Sequence, residues 1–178
     1  MKLKVYIIGM PGTGKTHFGR TLAQSLKMQF FDLDEMIEKR EGVYIRQLVQ
    51  EKGEHYFRET EHDVLMSTAN FNNCVIACGG GTPLHYNNME WMKSRGIVVW
   101  LNTDLNVIAL RIAHNITRRP MFLGLNEVEL NQKLRNLYEK RRKVYVKADV
   151  SVEQNSNGSI SLSSVIQRIM KFSRSIRR

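Results

Sequence analysis

Residues 9–16 read GMPGTGKT and meet the pattern G-x-x-x-x-G-K-[ST] at Gly9, Gly14, Lys15 and Thr16. Each residue type has a chemical reason to stand there. Glycines let the backbone curl until successive N–H groups point inward, and a helix that starts where the curl ends adds its positive terminus. A lysine at the next position reaches the β- and γ-phosphates of a nucleotide, and the threonine hydroxyl beside it binds Mg²⁺. With this chain's composition the pattern arises by chance with a probability of about 0.5%. An ordinary glycine turn would also leave its context unexplained. The octet follows the apolar run LKVYIIG and opens the amphipathic stretch KTHFGRTLAQSLK.

Carboxylates, arginines and more glycines form a second group. Asp32 and Asp34 stand in DLDE, on one face of an extended segment. One suits Mg²⁺ or its waters and the other an acceptor hydroxyl, although Asp34 or Glu35 equally suits the cap of the next helix. Arg58 and Glu61 in HYFRETE are three apart on a helix. That spacing serves a solvated ion pair, or an arginine aimed by its carboxylate into a bidentate grip on an acid. Gly79, Gly80 and Gly81 stand in a row. A bare turn seldom needs three glycines, whereas backbone pressed against a ligand does. Cys74 and Cys78, the only cysteines, share one face of a strand and read as buried thiols rather than metal or redox ligands.

Elements that bring these groups together are visible in the hydrophobic pattern. Strand-like runs occupy 3–8, 29–32, 73–78, 97–101 and 148–152. Helical patterns occupy 15–27, 34–69 with a break at EGV, 83–95, 104–113, 127–147 and 160–172. Strands alternating with helices predict an α/β fold, with a parallel sheet covered on both faces. Ligands in such a sheet sit at the carboxyl ends of the strands. The first strand ends in the phosphate loop, the second in DLDE, the third in GGGTP and the fourth near Asn102 and Thr103. These segments converge on one cleft.

The 178 residues, 42% hydrophobic and 25% charged, suit one globular domain, and no apolar run approaches the ~20 residues of a membrane span. A cytoplasmic location is the expectation. The net charge of +10 is unevenly placed: residues 1–110 carry 12 basic and 12 acidic side chains, residues 111–147 carry 10 against 3, and residues 148–178 carry 5 against 2. Beside a phosphate loop this reads as a basic lid over an anionic substrate and a solvated tail, in preference to a nucleic-acid surface.

Taken in their order and spacing, GMPGTGKT, DLD, FRETE, GGG, RRP and EKRRKVY resemble the shikimate kinase family, from the first strand to about residue 150. The resemblance implies a three-layer αβα P-loop fold of the nucleoside-monophosphate-kinase type. Its five-stranded parallel sheet has the order 2-3-1-4-5, and a mobile lid at about 112–126 lies within a single domain, 1–178. It implies transfer of the ATP γ-phosphoryl group to the 3-hydroxyl of shikimate, with Mg²⁺, on the route to chorismate and the aromatic amino acids. ATP would lie on Gly12, Thr13, Gly14, Lys15, Thr16, His17, Arg111 and Arg119. Shikimate would lie on Asp34, Arg58, Gly79, Gly80, Gly81 and Arg141, with its carboxylate between the two arginines. Lys15, Asp34 and the lid's Arg119 would be catalytic, and Thr16 and Asp32 would serve the metal. ATP and shikimate are the partners implied, with no nucleic acid and no membrane, for a monomer. The lid reads RPMF where the family has Arg-Pro-Leu-Leu, and EQNSNG lacks an arginine that some members place near adenine, so backbone contacts are expected there. The other readings are a gluconate or nucleoside-monophosphate kinase of the same fold, and a nucleic-acid-binding or non-enzymatic ATP switch.

Overall fold

The computed structural model describes residues 3–115, 120–154 and 160–175. Strands β1 (Lys4–Ile8), β2 (Gln29–Asp32), β3 (Cys74–Ala77), β4 (Ile97–Asn102) and β5 (Val150–Glu153) form one sheet in the order β2-β3-β1-β4-β5. Every neighbouring pair is parallel. Helices α1 (Lys15–Leu26), α2 (Leu33–Glu41), α3 (Ile45–Ser67), α4 (Asn88–Arg95), α5 (Leu105–His114), α6 (Glu127–Tyr145) and α7 (Leu162–Ser175) complete it. The predicted sheet order and layering hold, and each strand-like run lies on a strand.

The period-2 alternation of side chains sorts the strands' apolar residues into two cores. Val5, Ile7, Val75, Val99 and Leu101 face α1 and α7, joined by Phe18, Leu22, Val165 and Ile169. Tyr6, Ile8, Ile76, Val98 and Trp100 face the other way, into a core shared with Leu33, Leu48, Leu65, Met92, Ile108 and Leu134. The central strands are therefore apolar on both faces, as buried parallel strands must be. Cys74 and Cys78 both lie in the second core, unpaired and buried, and burial pushes both thiols upward. Both behave as small apolar fillers.

Four departures from the sequence reading have local causes. α2 begins at Leu33, so Asp34 rides on its first turn and shares no extended face with Asp32. The helix cap is Asp32, whose carboxylate accepts from the Asp34 backbone N–H at 3.0 Å, and not Asp34 or Glu35. The pattern at 83–95 resolves into a 3₁₀ turn, Thr82–Leu84, and the helix α4, because Tyr86 and Asn87 take left-handed φ of 50° and 57°. α3 also bends at Gly53, with φ 84° and ψ 166°, before the stretch that carries Arg58 and Glu61.

Candidate active site

β1 delivers the chain into the glycine octet. Gly9 has φ 150°, and a Cβ there would lie 2.7 Å from the Leu101 carbonyl oxygen of β4, so a side chain is excluded. Gly14 stands at the N-cap of α1 in the left-handed region, with no side chain capping the helix. The first-turn N–H groups of α1 thus lack the side-chain acceptor that caps most helices, which makes the turn an anion site. Lys15 Nζ folds back over the loop and donates to the carbonyls of Gly9 and Met10, each at 3.1 Å. The Thr13 hydroxyl donates to the Met10 carbonyl at 2.9 Å and closes the curl. Thr16 Oγ1 donates to Asp32 Oδ2 at 2.7 Å, so the pair expected to serve the metal stands together at the mouth of the loop.

Beside the loop a cavity of about 450 Å³ opens between Gly14, His17, Phe18, Arg111, Gln154 and Ile160. Its size suits a small-molecule ligand such as a nucleoside. Arg111, on α5, donates to the Thr13 carbonyl at 3.1 Å and to Gln154 Oε1 at 3.0 Å, and Gln154 Nε2 donates to the same Thr13 carbonyl at 3.0 Å. Backbone contacts are the expectation in the loop after β5, and the Gln154 side chain also lines the cavity there. One signal would have found it, because Gln154 follows β5 at the same sheet edge that supplies the other site segments. Arg119 lies outside the described residues, as do 155–159 of the loop.

A second cluster of site residues is organised by the three glycines after β3. A Cβ on Gly79 would lie 2.6 Å from Glu61 Oε1 and 3.3 Å from Asp34 Oδ1. On Gly80 it would lie 2.7 Å from Arg141 Nη1 and 3.2 Å from the Gly9 carbonyl oxygen, and on Gly81 2.7 and 2.8 Å from the two terminal nitrogens of Arg58. Asp34, Arg58, Arg141 and the phosphate loop therefore meet around three residues that carry no side chains. Arg58 is no solvated ion pair: its Nη1 donates to Glu61 Oε2 at 2.7 Å, and the side chains are 16% and 1% exposed. Arg141 and Tyr145 lie four apart on one face of α6, and Tyr145 Oη donates to the Gly80 carbonyl at 2.5 Å. Burial pushes that phenol up to about 12, so it stays a donor at neutral pH.

Two guanidinium nitrogens, Arg58 Nε and Arg141 Nη1, are buried with no protein acceptor among the described residues. Buried donors of this kind cost stability unless something accepts from them, and a carboxylate is the matching acceptor. Asp34 is reached by solvent yet sits on a crowded floor. The protein packed about it, then the charges of Asp32 and Glu61, raise its carboxyl to about 6. A carboxylate so raised is suited to taking a proton near neutral pH.

The glycines allow a direct check. Gly81→Ala puts a methyl 2.7 Å from Arg58 Nη1 and 2.9 Å from its Cζ, and so displaces the guanidinium from its present place. We expect the Michaelis constant for the acid substrate to rise about tenfold, with that for ATP within about twofold. Equal rises in both would show that the substitution disturbs the whole crevice.

Comparison with known proteins shows the family of the chain. The shikimate kinase family model matches residues 11–174. A shikimate kinase from Sulfurihydrogenibium sp. is 37% identical over 148 residues, covering 83% of this chain and 86% of its own. The crystal structure of shikimate kinase from Bacteroides thetaiotaomicron superposes with a TM-score of 0.86 at 32% identity, covering 98% of this chain and 99% of its own. Shikimate kinase from Acinetobacter baumannii, solved in complex with shikimate, gives a TM-score of 0.83 at 32% identity, covering 98% of this chain and 94% of its own. A gluconokinase from Sinorhizobium meliloti 1021 is more distant, with a TM-score of 0.55 at 16% identity over 97% of this chain and 93% of its own, a likeness of fold alone. With its phosphate loop, its paired arginines and these relatives in agreement, the chain belongs to the shikimate kinase family.

Proposed function

We propose that this chain transfers the γ-phosphoryl group of ATP to the 3-hydroxyl of shikimate, giving shikimate 3-phosphate and ADP. The observation that carries the reading is the placement of Gly80, where a single Cβ would meet both Arg141 and the Gly9 carbonyl of the phosphate loop. An acid gripped by Arg58 and Arg141 lies against the same glycines that border the triphosphate, so donor and acceptor share one crevice.

Phosphoryl transfer asks mainly for alignment and for positive charge around a dispersed anion. Arg58 and Arg141 hold the carboxylate and thereby fix the ring. Asp34 orients the 3-hydroxyl and takes its proton as the oxygen–phosphorus bond forms and the bond to the ADP oxygen breaks. Lys15 supplies charge at the β- and γ-phosphates. The side chains at the loop fit Mg²⁺: a threonine oxygen and a carboxylate oxygen lie 2.7 Å apart, hard donors for a hard cation. Thr16 and Asp32 would hold it, and when bound it neutralises charge on the phosphates. Among the described residues no group of three or more His, Cys, Asp or Glu side chains could hold a metal ion. Arg119 as a lid arginine over residues 112–126 rests on the sequence motif. A monomer is what the family resemblance implies. No described helix is long and apolar enough to cross a membrane.

Two outcomes are expected. In a phosphate-transfer screen over shikimate, gluconate and nucleoside monophosphates, only shikimate turns over rapidly; comparable turnover of gluconate would favour a different acceptor pocket. Asp34 works ionised and its carboxyl titrates at about 6. Log kcat/KM for shikimate therefore rises with unit slope below that pH and levels off above it. A profile flat from about pH 5 to 7.5 would remove Asp34 as the base.

A further inference from the structure

A buried hydrogen-bonded chain leads away from the arginine that grips the acid. Arg58 Nη1 donates to Glu61 Oε2, and Glu61 Oε1 accepts from the Thr82 hydroxyl at 2.5 Å. The Thr82 carbonyl accepts from Asn88 Nδ2 at 2.9 Å, and Asn88 Oδ1 lies 2.7 Å from His62 Nδ1. Glu61, Thr82 and Asn88 are fully buried. His62 is half-buried and lies against Tyr86, with ring centroids 5.0 Å apart and the planes tilted by 39°. Both rings line a second crevice of about 360 Å³, which shares no lining residue with the phosphate-side cavity.

Each link has one chemical sense. Asn88 uses its N–H on the Thr82 carbonyl, which leaves its oxygen facing the imidazole, so His62 carries a proton on Nδ1. Thr82 opens the turn directly after the three glycines, and its own N–H donates to the Gly79 carbonyl at 3.2 Å. The Asn88 amide therefore anchors the turn that holds the glycines and aims the Thr82 hydroxyl at Glu61. Packing α4 would need only an apolar side chain at this buried place. An amide with both ends engaged toward Arg58 and His62 does something more.

We propose that Asn88 is a positioning residue for the acid pocket, held in orientation by His62 and acting through Thr82 and Glu61 on Arg58. The proposal rests on Arg58 gripping the substrate carboxylate. Without the amide, the buried Thr82 carbonyl loses its donor and the turn is free to shift. Glu61 then loses one of its two partners, and Arg58 is no longer held in a single orientation.

The test compares Asn88→Leu, His62→Leu, His62→Asn and Arg58→Lys, measuring both Michaelis constants, kcat and the melting temperature. Asn88→Leu should raise the shikimate KM about tenfold and His62→Leu about threefold, with the ATP KM within about twofold. His62→Asn, which presents an amide N–H where Nδ1–H stood, should return the shikimate KM to the parent value. Asn88→Leu combined with Arg58→Lys should show less than the product of the single effects, because both act through one side chain. Equal rises in both Michaelis constants, a lowered melting temperature with an unmoved shikimate KM, or multiplicative effects would overturn the proposal. If Asn88→Leu does not fold, the two His62 variants decide. A shikimate KM raised by Arg58→Lys and untouched at His62 overturns the positioning role alone; one untouched by Arg58→Lys overturns the carboxylate grip as well.

Discussion

Asp34→Asn should lower kcat by about two to four orders of magnitude while ATP affinity stays within about threefold. The expectation follows from where the side chain lies. Asp34 Oδ1 is 3.3 Å from the position a Gly79 Cβ would take, on the acid side of the crevice and not on the phosphate loop. Asparagine keeps the shape and a hydrogen bond to the ring but cannot accept the hydroxyl proton. The same variant should melt at a higher temperature at neutral pH. Crowding and the Asp32 and Glu61 charges raise the folded-state carboxyl to about 6, so the stability tied to its proton is present at low pH and lost as pH rises through that value. Asparagine is neutral throughout. Full kcat in Asp34→Asn would show that the residue takes no part in the transfer. A fall in kcat accompanied by a lower melting temperature would point to a damaged fold.

Arg58→Lys should raise the shikimate KM by about 10- to 100-fold and leave the ATP KM within about twofold. The guanidinium is engaged on several sides at once. It donates to Glu61 at 2.7 Å and to Glu54 at 3.2 Å, and it lies over the Phe57 ring at 4.7 Å. Its planar fork can hold Glu61 and still present N–H groups to a substrate carboxylate. A lysine ammonium keeps the charge and loses that geometry, so paired to Glu61 it has little left to offer the acid. Equal changes in both Michaelis constants would make Arg58 a scaffold residue and leave Arg141 as the only anchor for the acid.

The parts of this molecule legible in the sequence are those whose causes are local. GMPGTGKT needs eight adjacent residues, and its curl, its helix start and its lysine are all present in that window. Arg58 and Glu61 were readable because helical spacing decides that they meet. The strands were legible because apolar runs of four to six residues between helical patterns have few other uses. The boundary between β2 and α2 was less so, since Asp32 ends a strand, caps a helix and accepts from Thr16 at once. The Gly53 bend leaves no trace beyond one glycine inside a helical pattern. Long-range partners were hidden for a simpler reason. Gln154 meets Thr13 across 141 residues and Asn88 meets His62 across 26, and no periodicity links such positions. The sheet order likewise came from the family resemblance, because strand pairing leaves little mark in the sequence of an all-parallel sheet.

The claim on which the rest depends is that a triphosphate site and a carboxylic-acid site face one another across the three glycines. Its most direct test is ADP release by the purified chain with ATP and Mg²⁺, followed by a coupled assay with and without shikimate. Release should be slow with ATP alone and should accelerate by several orders of magnitude on adding shikimate, one ADP appearing for each shikimate 3-phosphate. ADP release indifferent to shikimate, or proceeding without the phosphorylated acid as product, would contradict the shared crevice.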